Sequence, residues 1–279
     1  MTISAAEVAK LRKITGAGMM DCKRALEEAN GNYDEAISII RKKGQLVASK
    51  RADRETTEGC VIAKVSPDAS KGVLIVLSCE TDFVAKGADF IKFTEEVAAT
   101  ALKEGVTTLD AVKQLTVNDI SVTEGINEKV AIIGEKIELN FFDSLEASEV
   151  VAYIHPGNKL ACLVGFSQKL TDKQVGRDVA MQVAAMNPIA VDKESVPEET
   201  VKKEMEIALE QTKNDPRNAG KPDDLLRKIA SGKLEKFYKE QTLIHQEFIK
   251  DSKKNVGDYL KEADKDLKVV KFIRFSLAQ

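Results

Sequence analysis

Covalent catalysis needs a nucleophile whose proton a neighbouring base can take, and this chain carries few such parts. Its two histidines, His155 beside Pro156 and His245 in or beyond a helical stretch, stand in different elements with no Cys or Ser close by in sequence. Cys22, Cys60, Cys79 and Cys162 are scattered, with no CxxC pair and no spacing that suits zinc. Cys79 lies just before the segment TDFVAK, which makes it the candidate nucleophile if the protein is an enzyme. Gly16 and Gly18 are followed by Asp21 where a dinucleotide-binding loop needs its third glycine, and a GxxxxGK[ST] phosphate loop is absent. The pairs Glu27 with Glu28 and Glu95 with Glu96 fall on strongly charged helix faces, where carboxylates serve solubility. No nucleotide, metal or other cofactor is implied. The expected class is a binding protein, not an enzyme.

Binding chemistry gathers at Thr81 to Lys86, where Phe83 sits between the carboxylate of Asp82 and the apolar Val84. The run Val73 to Leu77 predicts a buried strand before this segment. Gly87 and the series Phe90, Phe93, Val97, Ala98, Ala101 predict a helix after it. Thr81 to Lys86 is then an exposed turn. Phe83 on such a turn is either a plug folded back onto its own domain or a wedge offered to another protein, and position alone favours the plug.

The elements around this turn are well punctuated. Ser4 with Glu7 predicts a capping-box start for a first helix that ends near Thr15. After the turn at Gly16 to Gly18, Cys22, Ala25, Leu26 and Ala29 recur at helical spacing, and Asn30 with Gly31 stops that helix. Asn32 with Glu35 caps a third helix bearing Tyr33, Ala36, Ile37 and Ile40, closed by Arg41 to Gly44. Residues 1–44 are thus a three-helix domain. Residues 45–58 follow as a basic linker, and the bases Lys43, Lys50, Arg51 and Arg54 have no interleaved aromatics, so a solvated tether is expected and not a nucleic-acid contact.

Beyond the linker one pattern occurs twice. Val61 to Val65, a turn at Pro67 and Asp68, Val73 to Leu77 and a helix after Gly87 are matched by Val150 to Ile154, a turn at Pro156 to Asn158, Leu160 to Phe166 and a helix with Val179, Met181, Val183 and Ala184. The closing strands correspond as well, Ile137, Leu139 and Phe141 in the first set and Val269 to Phe275 in the second. The expected fold is α+β, with related lobes at 59–145 and at 146–197 plus 249–279, each built on a small antiparallel sheet. A helical hairpin at 198–248 interrupts the second lobe, with stripes Val201, Met205, Ala208, Leu209 and Leu226, Ile229, Leu234, Phe237, Tyr238. Those stripes zip the two arms together or meet another subunit or partner.

Composition narrows the partners. Near balance between 42 basic and 45 acidic residues gives a net charge of −3, which recommends neither nucleic acid nor a membrane surface. The absence of a ~20-residue apolar run argues against a membrane span. Scattered cysteines and an opening without signal or transit character suggest a reduced, cytoplasmic protein.

The string TGAGMMDCKRAL at Thr15 to Leu26, followed by TDFVAK at Thr81 to Lys86, resembles the bacterial elongation factor Ts family, guanine-nucleotide exchange factors of elongation factor Tu. The resemblance covers the whole chain. It implies that the three-helix domain is ubiquitin-associated-like and that the hairpin is a coiled-coil insertion, with dimerisation through it left open. It also implies that Asp82 and Phe83, framed by Thr81 and Val84, enter a groove of the partner's GTPase domain and displace magnesium so that GDP leaves. Arg12, Met19 and Met20 are implied as a second contact, although Met19 and Met20 by themselves read as core or helix-start residues. Where family members show MHVAA, this chain has Met181, Gln182, Val183, Ala184, Ala185, so the contact assigned to that histidine is either lost or made differently, by a hydrogen bond from Gln182 across the interface. The chain is expected to close on FIRFSLAQ at Gln279 without the further helix of some members. The alternative is a general protein-binding adaptor acting through the three-helix domain.

Overall fold

The computed structural model describes residues 3–277, so Ala278 and Gln279 of the closing FIRFSLAQ lie outside the described residues. Three helices open the chain: α1 (Ala5–Thr15), α2 (Met19–Glu28) and α3 (Tyr33–Lys50). Ser4 and Glu7 form the expected capping box, and Asn32 caps α3 by accepting from Asp34 and Glu35 N–H. Val8, Leu11, Cys22, Leu26, Ala36 and Ile40 make their shared core. α1 and α2, 11 and 10 residues long, are too short to be stable alone, so this core holds the unit together.

The third helix corrects the expected linker. α3 does not close at Gly44 but runs to Lys50, because Gly44 lies at a crossing with a later helix, α7 (Val122–Ile133). A Cβ at Gly44 would stand 2.8 Å from Asn127 O and 2.9 Å from Ala131 Cβ. The glycine permits close helix packing where the sequence pattern read it as a stop. Arg41 adds an ion pair to Glu128 of α7 at 2.8 Å.

The first sheet has the order β1 (Glu58–Val65), β2 (Lys71–Cys79), β5 (Ile137–Glu146), all antiparallel. Between β2 and β5 the chain forms α4 (Asp82–Ala85), α5 (Ala88–Glu104), α6 (Leu109–Gln114), the ribbon β3 (Thr116–Val117) with β4 (Ile120–Ser121), and α7. The second sheet repeats the plan with β6 (Glu149–Ile154), β7 (Leu160–Phe166) and β10 (Val269–Ser276), β7 being central. α8 (Lys173–Met186) is its counterpart of α5, and α11 (Val256–Ala263) precedes β10 as α7 precedes β5.

Period-two alternation explains how the lobes meet. On β2, Val73, Ile75 and Leu77 join Phe90, Phe93 and Val97 of α5 in one core, while Leu74 and Val76 face Leu163 and Ala161 of β7 in another. On β7, Cys162, Val164 and Phe166 face the opposite way, toward Val179 and Val183 of α8. The two sheets therefore pack face to face with a helix on each outer side. A strand buried on both faces has no polar side, which is why β2 and β7 read as unbroken apolar runs.

The second lobe is interrupted by α9 (Glu198–Asn214) and α10 (Asp223–Gln241), which pack together and bury Ala208, Thr212, Leu226 and Ala230. Backbone bonds from Ile189 N to Gln241 O (2.9 Å) and from Leu243 N to Ala190 O (2.9 Å) join the base of this pair to the lobe. α10 stops at Gln241, before the expected boundary at 248. A 3-10 turn (Leu243–His245) and the ribbon β8 (Glu247–Phe248) with β9 (Asp251–Asn255) lead into α11.

Candidate partner-binding site

β2 delivers the chain to Thr81, and α4 follows as a single turn. Its residues divide sharply. Ala85 is buried and Val84 packs against the core of the first lobe, whereas Phe83 is 87% exposed. The plug expected from position is therefore overturned: Val84 and Ala85 fill the inward positions of so short a turn, which leaves the ring pointing to solvent. Lys86 Nζ bonds Asp82 Oδ2 at 2.6 Å and holds that carboxyl below the usual range, so Asp82 stands ionised beside the ring.

The mount is braced by residues from elsewhere in the chain. Thr81 donates its backbone N–H and its hydroxyl to Glu135, at 3.0 and 2.7 Å. Cys79 Sγ donates to Thr81 O at 3.2 Å. Glu80 accepts from Lys136 N–H at 2.6 Å, from Arg51 at 2.8 Å and from Arg54 at 3.1 Å, and these bonds, the backbone one foremost, keep its carboxyl charged. Lys136 Nζ in turn donates to Ala52 O and Arg54 O. Arg51 and Arg54 are thus held in a local network and do not form the free tether expected of them.

A second exposed group lies on the three-helix unit. Gly16, with φ 69°, turns the chain between α1 and α2, and Ile14, Met19 and Met20 are 56, 43 and 64% exposed with Arg12 exposed on α1. Met19 and Met20 are not core residues, because Cys22, Ala25 and Leu26 take the inner face of α2. Gln182 requires the opposite correction. It is fully buried, donates to Gln246 Oε1 (3.2 Å) and Glu247 O (3.1 Å), and accepts from Ile249 N–H (2.9 Å). Its amide ties α8 to the segment after α10, so no group is left to reach a partner.

The candidate nucleophile does not survive the geometry. All four cysteines are buried, and burial foremost pushes the Cys79 thiol up to about 12, the reverse of what a thiolate nucleophile requires. His155 Nδ1 lies 3.1 Å from Tyr153 Oη, and His245 Nδ1 lies 2.8 Å from Thr242 Oγ1. Among the described residues no group of His, Cys, Asp and Glu is arranged to hold a metal, and no helix is long and apolar enough to cross a membrane. Sequence reasoning had not found Glu80, Glu135 or Lys136, and it read Arg51 and Arg54 as solvated bases of a tether. The available signals were the carboxylate directly after the helix-ending Gly134 and the acid directly before Thr81.

An exposed aromatic on an externally braced turn, carried by paired helix-backed sheets, is what distinguishes this site. The comparisons name the family. The family model for Elongation factor TS matches residues 80–279, beginning at Glu80, one of the bracing carboxylates. The chain is 50% identical over 276 residues to elongation factor Ts of Christiangramia forsetii, covering 99% of this chain and 98% of that one. It is 47% identical over 277 residues to elongation factor Ts of Azobacteroides pseudotrichonymphae and 44% over 278 residues to that of Porphyromonas gingivalis, covering 99% of both chains each time. The chain belongs to the elongation factor Ts family of translation elongation factors.

Proposed function

We propose that this protein is a guanine-nucleotide exchange factor for elongation factor Tu, acting by insertion of Phe83. The observation that carries the reading is the 87% exposure of a phenylalanine on a turn whose every other anchor is tied down. Burying such a ring in a partner's groove is worth roughly 1.5–3 kcal/mol, which is about tenfold to a hundredfold in affinity. If the groove accepts the ring only when the magnesium site is disturbed, that energy is taken from nucleotide binding. Asp82 adds an ionised carboxylate at the same edge, while Thr81 and Val84 frame the pair. The coupling is reciprocal, so nucleotide weakens the factor's grip by the same ratio, about 1.4 kcal/mol per tenfold, and arriving GTP expels the factor.

Arg12, Met19 and Met20 supply a second contact from the three-helix unit, which we read as the family's ubiquitin-associated-like domain. Flexible thioethers adapt to an irregular partner surface. α9 and α10 are read as the coiled-coil arm, a surface for partner or second copy. The adaptor alternative draws on the same exposed Ile14, Met19 and Met20, and truncation of residues 1–50 separates the two, since an adaptor loses all function and an exchange factor keeps its core wedge. The direct experiment is stopped-flow release of a fluorescent GDP analogue from elongation factor Tu. Saturating protein accelerates release on this reading, and an unchanged rate refutes it.

A further inference from the structure

Helix formation alone does not fix the turn that carries Phe83. α4 is 4 residues long, far below the length at which helical cooperativity gives stability. Thr81 is its N-cap, a position where a threonine hydroxyl ordinarily accepts a backbone N–H of the first turn. It makes no such bond here. Both of its donors go instead to one carboxylate, that of Glu135, with the hydroxyl at 2.7 Å and the backbone N–H at 3.0 Å. Two donors on one carboxylate fix the cap in direction as well as in distance, and they fasten the turn to a part of the chain 54 positions away.

Glu135 comes from a separate part of the chain. Gly134, with φ 77°, ends α7, and the chain then enters β5 with Glu135 against Thr81 and with Lys136 N–H against Glu80. Two consecutive residues before the aromatic are thus fastened to two consecutive residues before β5. An aromatic on a loose turn loses conformational freedom when it enters a groove, and a turn fixed beforehand does not.

We propose that Glu135 is a positioning residue for Phe83, holding the Thr81 cap so that the ring projects from a fixed mount. Glu135 acts through Thr81, the residue its carboxylate holds. The proposal rests on the exchange reading for its consequence, but the rigidity of the mount can be measured without elongation factor Tu.

Two arms test it. The chain contains no tryptophan, so Phe83→Trp makes a single reporter at the tip. In time-resolved fluorescence anisotropy of the full chain, adding Glu135→Ala enlarges the fast local decay, which slow tumbling of the whole molecule otherwise dominates. In the second arm, Glu135→Ala with native Phe83 lowers the maximal rate of GDP release about tenfold while changing the half-saturating concentration less than about twofold. The double variant with Phe83→Ala is then no slower than Phe83→Ala alone by more than about twofold, because a ring that is absent needs no mount. Glu135→Gln, which keeps the shape and one acceptor, falls between and serves if the alanine variant does not fold. Unchanged anisotropy, an unchanged maximal rate, or losses that multiply in the double variant each overturn the proposal. If the wild-type protein itself does not accelerate release, the exchange reading fails, and the anisotropy arm still decides whether Glu135 fixes the turn.

Discussion

At the scale of single residues, exposure separates groups free to meet a partner from groups that hold the structure. Phe83 and Gln182 were both named for partner contact on sequence grounds, and one is 87% exposed while the other is completely buried. Gln182→Ala removes the bonds to Gln246, Glu247 O and Ile249 N–H and leaves a gap where a fully buried side chain stood. We expect its urea midpoint to fall clearly while GDP release, measured where the variant is folded, stays within about twofold of wild type. A selective loss of release without loss of stability would return Gln182 to the interface. The cysteines give a second check. With Cys60, Cys79 and Cys162 raised to about 12 chiefly by burial, an aromatic disulfide reagent at pH 8 leaves them unlabelled in the native protein and reaches all four thiols after denaturation. One fast native thiol at Cys79 would reopen the enzymatic reading.

At the scale of elements, local signals were legible and crossings between distant elements were not. The capping box at Ser4, the cap at Asn32 and the alternation on β5 are set by residues a few positions apart, and each element formed where those residues placed it. The length of α3 depended on Asn127 and Ala131, more than eighty positions further along, and no local pattern around Gly44 contains them. The short ribbon of β8 and β9 has the same cause, since Gln182 and Asp178 of α8 hold it through Ile249 N–H and Lys250. The candidate site divides in the same way. TDFVAK was visible as a motif, but its outward direction and its braces at Glu80 and Glu135 are tertiary facts. Gly44→Ala tests the crossing by its sign. On an open helix face the change would stabilise by ~0.5–1 kcal/mol. Against Asn127 O and Ala131 Cβ we expect it to destabilise by ~1–3 kcal/mol, read as a lower melting temperature. A raised melting temperature would mean that α3 and α7 do not meet as described.

At the scale of the whole molecule, two sheets face to face make a stiff block, and the second lobe adds buried carboxylates that tie its parts together. Burial raises the Glu149 and Asp178 carboxyls, but hydrogen bonds from Lys173 and Leu170 N–H to the first, and from Lys250, Gln174 and Tyr259 to the second, outweigh it and hold both below the usual range. A carboxyl depressed in the folded state contributes stability that is complete above its unfolded value near ~4 and is lost as pH falls through the folded value. Urea midpoints should therefore be flat from neutral pH to about 5 and drop steeply below about 4. A midpoint that holds at pH 3 would contradict the ionised network.

The central claim is that a rigid block presents one ring to a GTPase and that this ring does the pushing. The measurement that meets it most directly is stopped-flow GDP release from elongation factor Tu with the wild-type protein and with Phe83→Ala, melting curves being recorded on the same samples. The account predicts that the variant melts as wild type does, because an exposed ring contributes little to the fold, and that its maximal release rate falls by about tenfold or more. Normal release by a normally folded Phe83→Ala protein would contradict it.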